Sequence, residues 1–120
     1  MFLFNMKSLG IDKFEFKEGR YVLGEKEYAV SDLIKISESI EPFDLDIRGI
    51  DLDVTPWGKL NIKGFAYHMM RVNEATNEHP LILDDCGYIC DGWHRLVKAI
   101  LNKKETIKAI RLTQMPDAEK

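Results

Sequence analysis

Reactive and anion-binding residue types are concentrated in one short stretch, Tyr88 to Lys98, which reads YICDGWHRLVK. Asp91 precedes Gly92, and His94 and Arg95 follow at once. A glycine between a strand and a helix lets backbone N–H groups and the positive end of the helix dipole face an anion. Arginine adds a planar set of donors that suits phosphate. The spacing therefore predicts an anion-binding site at Gly92, His94 and Arg95.

Asp91 needs a separate explanation, because a carboxylate beside a phosphate is repulsive. It could cap the helix, pair with Arg95 four residues later, or act as a metal ligand or catalytic base. His94 and Arg95 have a simpler alternative too, a solvated helix start with a local ion pair. Trp93 lies on the apolar stripe of the same helix and is expected in the core rather than stacked on a nucleobase. The spacing alone leaves these alternatives open.

Three further polar residues could line the same pocket. His68 and Arg71 are three residues apart and share one face of a predicted helix, for which a solvated face is the alternative. Lys98 lies one turn beyond His94.

Other polar residues are expected to be structural. Asp84 and Asp85 precede a turn glycine and are expected to be turn residues. Cys86 and Cys90 are too few for a zinc site or a disulfide framework, which fits a reducing compartment. We predict no metal site.

The clearest structural pattern begins at Pro80 and positions these residues. Two apolar runs, LILD and YIC, flank Asp85 to Gly87 and predict a hairpin that ends at Asp91. Apolar residues then recur with helical spacing from Trp93 to about Lys103, and TIKAIRL alternates as a closing strand.

Upstream patterns are weaker. In chain order they predict a small antiparallel meander over 11–30, a helix over about 32–40 with Ser31 as its N-cap, a half-buried strand through 43–54 that bends at Gly49, a turn over 55–58 and a helix over 62–75.

Length and composition limit the class of protein. With 120 residues, 45% of them apolar and 31% charged, the chain is expected to form one domain over 1–120 with a polar tail over 113–120, frayed from Met115 to Lys120. It has no apolar run long enough to cross a membrane and no signal-peptide layout, so we expect a cytoplasmic protein. The net charge of −3 disfavours a nucleic-acid surface, although six basic and four acidic residues give 80–112 a charge of +2.

The segment from His79 to Leu112 resembles the ParB/sulfiredoxin-like fold. The family pattern is an apolar strand, a tight turn, a strand ending in Asp-Gly-x-His-Arg or Gly-Glu-Arg-Arg, a helix and a final strand, and each has a counterpart here. A weaker resemblance extends over 28–78. The resemblance implies a compact α+β domain whose mixed β-sheet is flanked by helices.

In this family the loop and the helix start hold the phosphates of a nucleotide, ATP in sulfiredoxins and CTP in partition proteins. The resemblance therefore implies binding of ATP, ADP or CTP, with Mg²⁺, by Gly92, Trp93, His94 and Arg95. ADP-dependent free-serine kinases of this fold use the acid that corresponds to Asp91 as a base.

Departures from the family pattern narrow the activity. Sulfiredoxins have their catalytic cysteine where this chain has Trp93, so that activity is not expected. Partition proteins need a DNA-binding domain and a dimerisation tail, and eight residues follow Leu112, so a full partition protein is not expected. No catalytic glutamate of the kinases can be assigned. A metal-dependent nuclease would need converging acids, for which only Asp84, Asp85 and Asp91 lie nearby.

The sequence thus favours a nucleotide-phosphate binding domain that acts as a small accessory or regulatory protein with links to DNA metabolism. One alternative is a small phosphotransferase, nucleotidase or nuclease with Asp91 as base. Another is a protein-interaction domain with a vestigial pocket, filled by Trp93 or closed by a pair between Asp91 and Arg95. Whether the chain is an enzyme stays open.

Overall fold

Six strands and three helices build the structure, a computed structural model that describes residues 19–76 and 78–119. In chain order the elements are β1 (Arg20–Leu23), β2 (Lys26–Ala29), α1 (Val30–Ser37), β3 (Phe43–Asp46), a short 3-10 helix (Ile47–Gly49), α2 (Ile62–Glu74), β4 (Leu81–Leu83), β5 (Ile89–Asp91), α3 (Trp93–Leu101) and β6 (Thr106–Arg111). The first two strands form a separate antiparallel hairpin.

The other four strands form a mixed sheet in the order β3-β6-β4-β5. β6 runs antiparallel to β3 and parallel to β4, with Ala109 beside both Phe43 and Leu81. β4 and β5 form an antiparallel hairpin. Because α3 connects β5 to the central strand β6, its first turn starts directly from the edge of the sheet.

The sheet is covered on both faces, as the alternation of side chains in β4 shows. Leu81 and Leu83 belong to a buried cluster with Leu96 and Ala99 of α3. Ile82 points the other way, into a second buried cluster. Its buried members are Tyr28, Leu33, Ile82, Cys90 and Leu112. The helix α2 lies against α3.

The predicted class is confirmed: the chain forms a compact single α+β domain with a mixed sheet and helices. The hairpin around Gly87, the helix from Trp93, the closing strand and the helix after residue 61 all form. The hairpin at 20–29 confirms part of the predicted meander, and residues 11–18 lie outside the described part. No helix in that part is long and apolar enough to span a membrane.

The start of α1 differs from the prediction. The helix begins at Val30 directly after β2, its N-cap is Ala29, and no side chain caps it. Ser31, the predicted N-cap, lies exposed within the first turn. Val30 is buried and its N–H donates to the Gly19 carbonyl at 3.2 Å. Burial of Val30 and this backbone bond therefore replace the expected side-chain cap.

The predicted strand through 43–54 is only half formed. β3 ends at Asp46, whose carboxylate accepts the Arg48 N–H at 2.9 Å and caps the 3-10 helix. Residues 51–60, which we call the Trp57 segment, contain no helix or strand. The alternation beyond Gly49 therefore has no neighbouring strand to pair with in the described sheet.

The predicted frayed tail is also wrong for residues 115–119. Met115 and Ala118 lie against the second buried cluster. The Glu119 N–H donates to the Glu27 carbonyl at 2.8 Å, and the Glu119 carboxylate pairs with Arg20 at 2.6 Å. The segment is therefore docked on the β1–β2 hairpin.

Candidate functional site

Gly92 forms the junction between β5 and α3. Its φ of 114° lies in the left-handed region, and its carbonyl accepts the Leu96 N–H at 2.9 Å. A Cβ at this position would overlap Leu81 Cδ2 and lie 3.3 Å from Leu81 Cα. The glycine is thus required by backbone conformation and by close packing on β4, a reason separate from the predicted approach of an anion. No side chain caps the first turn of α3, so its first N–H groups have no side-chain acceptor at the cap position.

Arg95 is paired with Asp91 rather than extended into solvent. Arg95 Nη2 donates to Asp91 Oδ2 and to the Pro80 carbonyl, each at 3.0 Å. Both side chains are largely buried, 17% and 22% exposed respectively. Arg95 Nε is buried and has no hydrogen-bond partner among the described residues. Of the roles considered for Asp91, the structure contains the pair with Arg95.

His68 from α2 and His94 from α3 form a direct hydrogen bond. His68 Nδ1 and His94 Nε2 are 2.8 Å apart, and the two rings lie 14° from parallel. The polar face predicted for His68 is therefore turned toward the start of α3. The bond joins the two helices at the point where their polar faces meet.

Trp57 covers this histidine pair. Its indole stacks on His68 with ring centroids 4.2 Å apart and on His94 at 4.6 Å. Trp57 lies in the predicted turn, where the Gly58 N–H donates to the Thr55 carbonyl at 2.9 Å. Sequence reasoning missed this residue. The available signal was a large aromatic side chain in a short, otherwise exposed turn.

Both imidazoles are held in the neutral form. Burial, followed by the charges of Arg71, His68 and Arg95, lowers the pKa of His94 to about 3. Burial and then Arg71 lower the pKa of His68. The pair is consequently uncharged at neutral pH, and the arginines beside it contribute to this because they repel a protonated imidazole.

A cleft of about 710 Å³ opens beside the histidine pair, and we call it the α3 cleft. The residues that give it its character are the basic Arg20, Arg71 and Arg95, the aromatic Tyr21, Trp57, Tyr67 and Trp93, the two histidines, and Asp91 and Gly92. A smaller cavity of about 210 Å³ shares Arg71, His94 and Arg95 with it and adds His79 and Glu74. The start of α3 is thus reached from two sides.

Lys98, a predicted pocket residue, does not line the α3 cleft. Its Nζ donates to the carbonyls of Asn73 at 2.9 Å and Ala75 at 2.6 Å, at the end of α2. This position satisfies carbonyl groups that a helix end leaves without intrahelical partners. Lys98 therefore joins α2 to α3 and has a structural role.

Trp93 is half-buried and lies against the first buried cluster, as its place on the apolar stripe predicts. It also contributes to the wall of the α3 cleft.

Asp84 is a buried residue of the turn before Gly87, where the sequence predicts a turn residue. It is fully buried and accepts hydrogen bonds from Tyr21 Oη at 2.8 Å and from the N–H groups of Cys86 and Tyr88 at 2.9 and 2.8 Å. Its carboxylate could approach a metal together with Asp85 and Cys86, but it already binds three donors.

Burial and the neighbouring Asp84 raise the pKa of the Cys90 thiol, which disfavours a reactive thiolate.

The α3 cleft combines two kinds of group that bind ligands in proteins. Cationic side chains and first-turn N–H groups attract negative charge, and the aromatic walls offer stacking surfaces.

Comparison of the chain with protein-family models, with curated proteins and with solved structures finds no match in any of the three.

Proposed function

We propose that this protein is a nucleotide-phosphate binding domain of the ParB/sulfiredoxin-like type that acts as a small accessory or regulatory protein. The observation that carries the proposal is the convergence of two helices on one cleft. His68 and Arg71 on α2 and His94 and Arg95 on α3 all line it. Positive side chains and a helix N-terminus at one point favour a phosphate group.

The local chain path supports the proposed fold type. A hairpin of β4 and β5 leads through Asp91 and Gly92 into α3, and β6 returns parallel to β4. This is the order of elements that carries the resemblance from His79 to Leu112.

The size of the α3 cleft also fits a nucleotide. Its volume of about 710 Å³ lies within the range of roughly 300–1,000 Å³ for small-molecule sites. Arg71 and His94 would face the phosphates, while Tyr67 or Trp57 offers a ring against which a base can stack. Mg²⁺ would arrive with the nucleotide, since Asp91, a carboxylate of the cleft, already pairs with Arg95.

Thermal unfolding with ATP, ADP, CTP and GTP, each with and without Mg²⁺, tests the proposal. A ligand that binds only the folded state increases the free energy of unfolding, by about 2.7 kcal/mol at a hundredfold excess over Kd. The midpoint of thermal unfolding therefore rises. We expect at least one nucleotide to raise it by several degrees and Arg71→Ala to reduce that shift. Arg48→Ala is the matched control, because Arg48 is exposed and pairs with Asp46 away from the cleft. No shift with any nucleotide, in the unmodified chain as in Arg95→Ala, would reject the proposal.

A second candidate is a protein-interaction domain, and the pair between Asp91 and Arg95 favours it because the pair engages the arginine expected to bind phosphate. An apolar groove of about 340 Å³ beside the Trp57 segment offers a contact surface. Its aliphatic lining consists of Leu52, Val54, Leu60, Leu96, Val97 and Ile100. This candidate predicts that none of the four nucleotides changes the unfolding temperature.

A further inference from the structure

The hydrogen bond between His68 and His94 fixes what the pair can offer to a ligand. In a neutral imidazole one ring nitrogen carries a proton and the other accepts. Within the 2.8 Å bond one ring donates and the other accepts. The two outer nitrogens of the pair, His68 Nε2 and His94 Nδ1, must therefore consist of one donor and one acceptor, whichever way the bond runs.

An acceptor nitrogen is poorly suited to a phosphate oxygen, because both groups carry lone pairs. Addition of one proton to the outer acceptor changes this. Both outer nitrogens then donate, the pair carries one positive charge, and the bond between the rings is kept as imidazolium to imidazole. Hydrogen bonds from a charged donor to phosphate are about twice as strong as neutral ones.

Two effects disfavour this proton in the free protein, and a bound anion offsets the second of them. Burial and the charges of Arg71 and Arg95 disfavour a protonated His94. A phosphate between these groups would offset the repulsion by the arginines. Trp57 presents an aromatic face to both rings, and such a face attracts a cation.

The other titratable groups around the pair do not supply the proton change. The groups that face it, element by element, are Tyr67, Arg71 and Glu74 from α2, Cys90 and Asp91 from β5, Arg95 from α3, Arg20 and Tyr21 from β1, and His79 from the loop before β4. Burial raises the pKa of Tyr21 and of Cys90, so both stay protonated near neutral pH. Asp91 is engaged by Arg95. Among the described residues, His79 is the only other imidazole and serves as the control.

We infer that the His68–His94 pair takes up one proton when the α3 cleft binds a phosphate anion, so that nucleotide affinity falls as the pH rises. The inference rests on the proposed function and adds its regulation by pH. The proton comes from the buffer and no covalent bond changes.

Isothermal titration of the unmodified chain with ADP, in HEPES and in Tris at the same pH, measures the protons exchanged. The terminal phosphate of ADP loses its second proton near pH 6, so between about pH 7 and pH 8 the nucleotide itself contributes little. We expect the heats in the two buffers to differ by a net uptake of up to one proton per ADP, and Kd to rise up to about tenfold for each pH unit in the same proportion.

His94→Gln and His68→Gln keep a hydrogen-bonding side chain that does not titrate, and each should abolish the uptake. His79→Gln should retain it, whatever its effect on affinity. ADP binding with equal heats in the two buffers, after correction for the ligand, would overturn the inference and leave the proposed function standing. Uptake that persists in both variants of the pair would overturn it as well. Absence of ADP binding would remove both proposals together.

Discussion

The indole of Trp57 lies on the imidazole of His94 with the ring centroids 4.6 Å apart. A residue from an exposed segment thereby covers one face of both histidine rings at the first turn of α3. Burial is the first cause of the low pKa of His94, and we expect this cover to contribute to that burial.

Trp57→Ala should therefore raise the pKa of His94 toward its ordinary value of about 6.5, because the imidazole becomes solvated. Loss of two stacked ring contacts should also lower the free energy of unfolding by about 1–2 kcal/mol. NMR titration of the histidine ring protons and urea unfolding measure the two effects. Trp57→Phe keeps an aromatic cover and should show a smaller change in both. An unshifted pKa in Trp57→Ala would mean that other residues desolvate the ring.

Stability should fall in acid because His94 stays neutral in the folded protein. An unfolded histidine takes up a proton near pH 6.5, whereas folded His94 does so only near pH 3. Between these values the unfolded state binds more protons, so the free energy of unfolding decreases as the pH falls, by at most about 1 kcal/mol per pH unit after allowance for solvent screening. Denaturant unfolding at several pH values measures this. His94→Gln should show a shallower decrease over the same range, and equal slopes would contradict the assignment.

Asp91→Asn separates the binding and enzymatic hypotheses. The change removes a negative charge from the α3 cleft and weakens the pair with Arg95. In a binding domain we expect nucleotide affinity to increase about fivefold, the equivalent of about 1 kcal/mol for a partly exposed charge. If Asp91 is a catalytic base, turnover of nucleotide is lost while binding persists. Calorimetry and a phosphate-release assay on the same samples decide between them. Asp85→Asn, at an exposed turn position, is the control that should change neither.

Gly92→Ala should destabilise the fold by about 2–4 kcal/mol. The added Cβ would overlap Leu81 Cδ2, and φ is 114°, where a side chain is strained. Gly58→Ala is a matched control, because Gly58 also has a positive φ, of 65°, but a Cβ there meets nothing within 4 Å. It should cost about 1 kcal/mol. Equal losses in urea unfolding would show that conformation alone, without packing on β4, explains the glycine.

The elements between Pro80 and Arg111 could be predicted from sequence because their signals are local. Turn residues bracket the hairpin, and apolar spacing marks α3 along its whole length. The same local signals placed Asp91, Gly92, His94 and Arg95 at the junction where the structure has them.

Contacts between distant segments could not be predicted in this way. The positions of Trp57 over His94 and of Glu119 beside Glu27 depend on how separate elements meet in space. The direction of Lys98 toward the end of α2 depends equally on the packing of two helices. Periodicity predicts which residues share one face of a helix. It does not predict which neighbouring element a polar face contacts.

Trp57 is the only residue between 51 and 60 that is not exposed. Trp57 is therefore the most deeply buried attachment of this segment, beside the partly exposed Val54 and Leu60. Release of the segment should cost far less than global unfolding. Amide hydrogens of 51–60 would then exchange with solvent through local opening, at rates that depend on the stacking of the Trp57 indole. Amide hydrogens of the central strand β6 would exchange only when the whole domain unfolds.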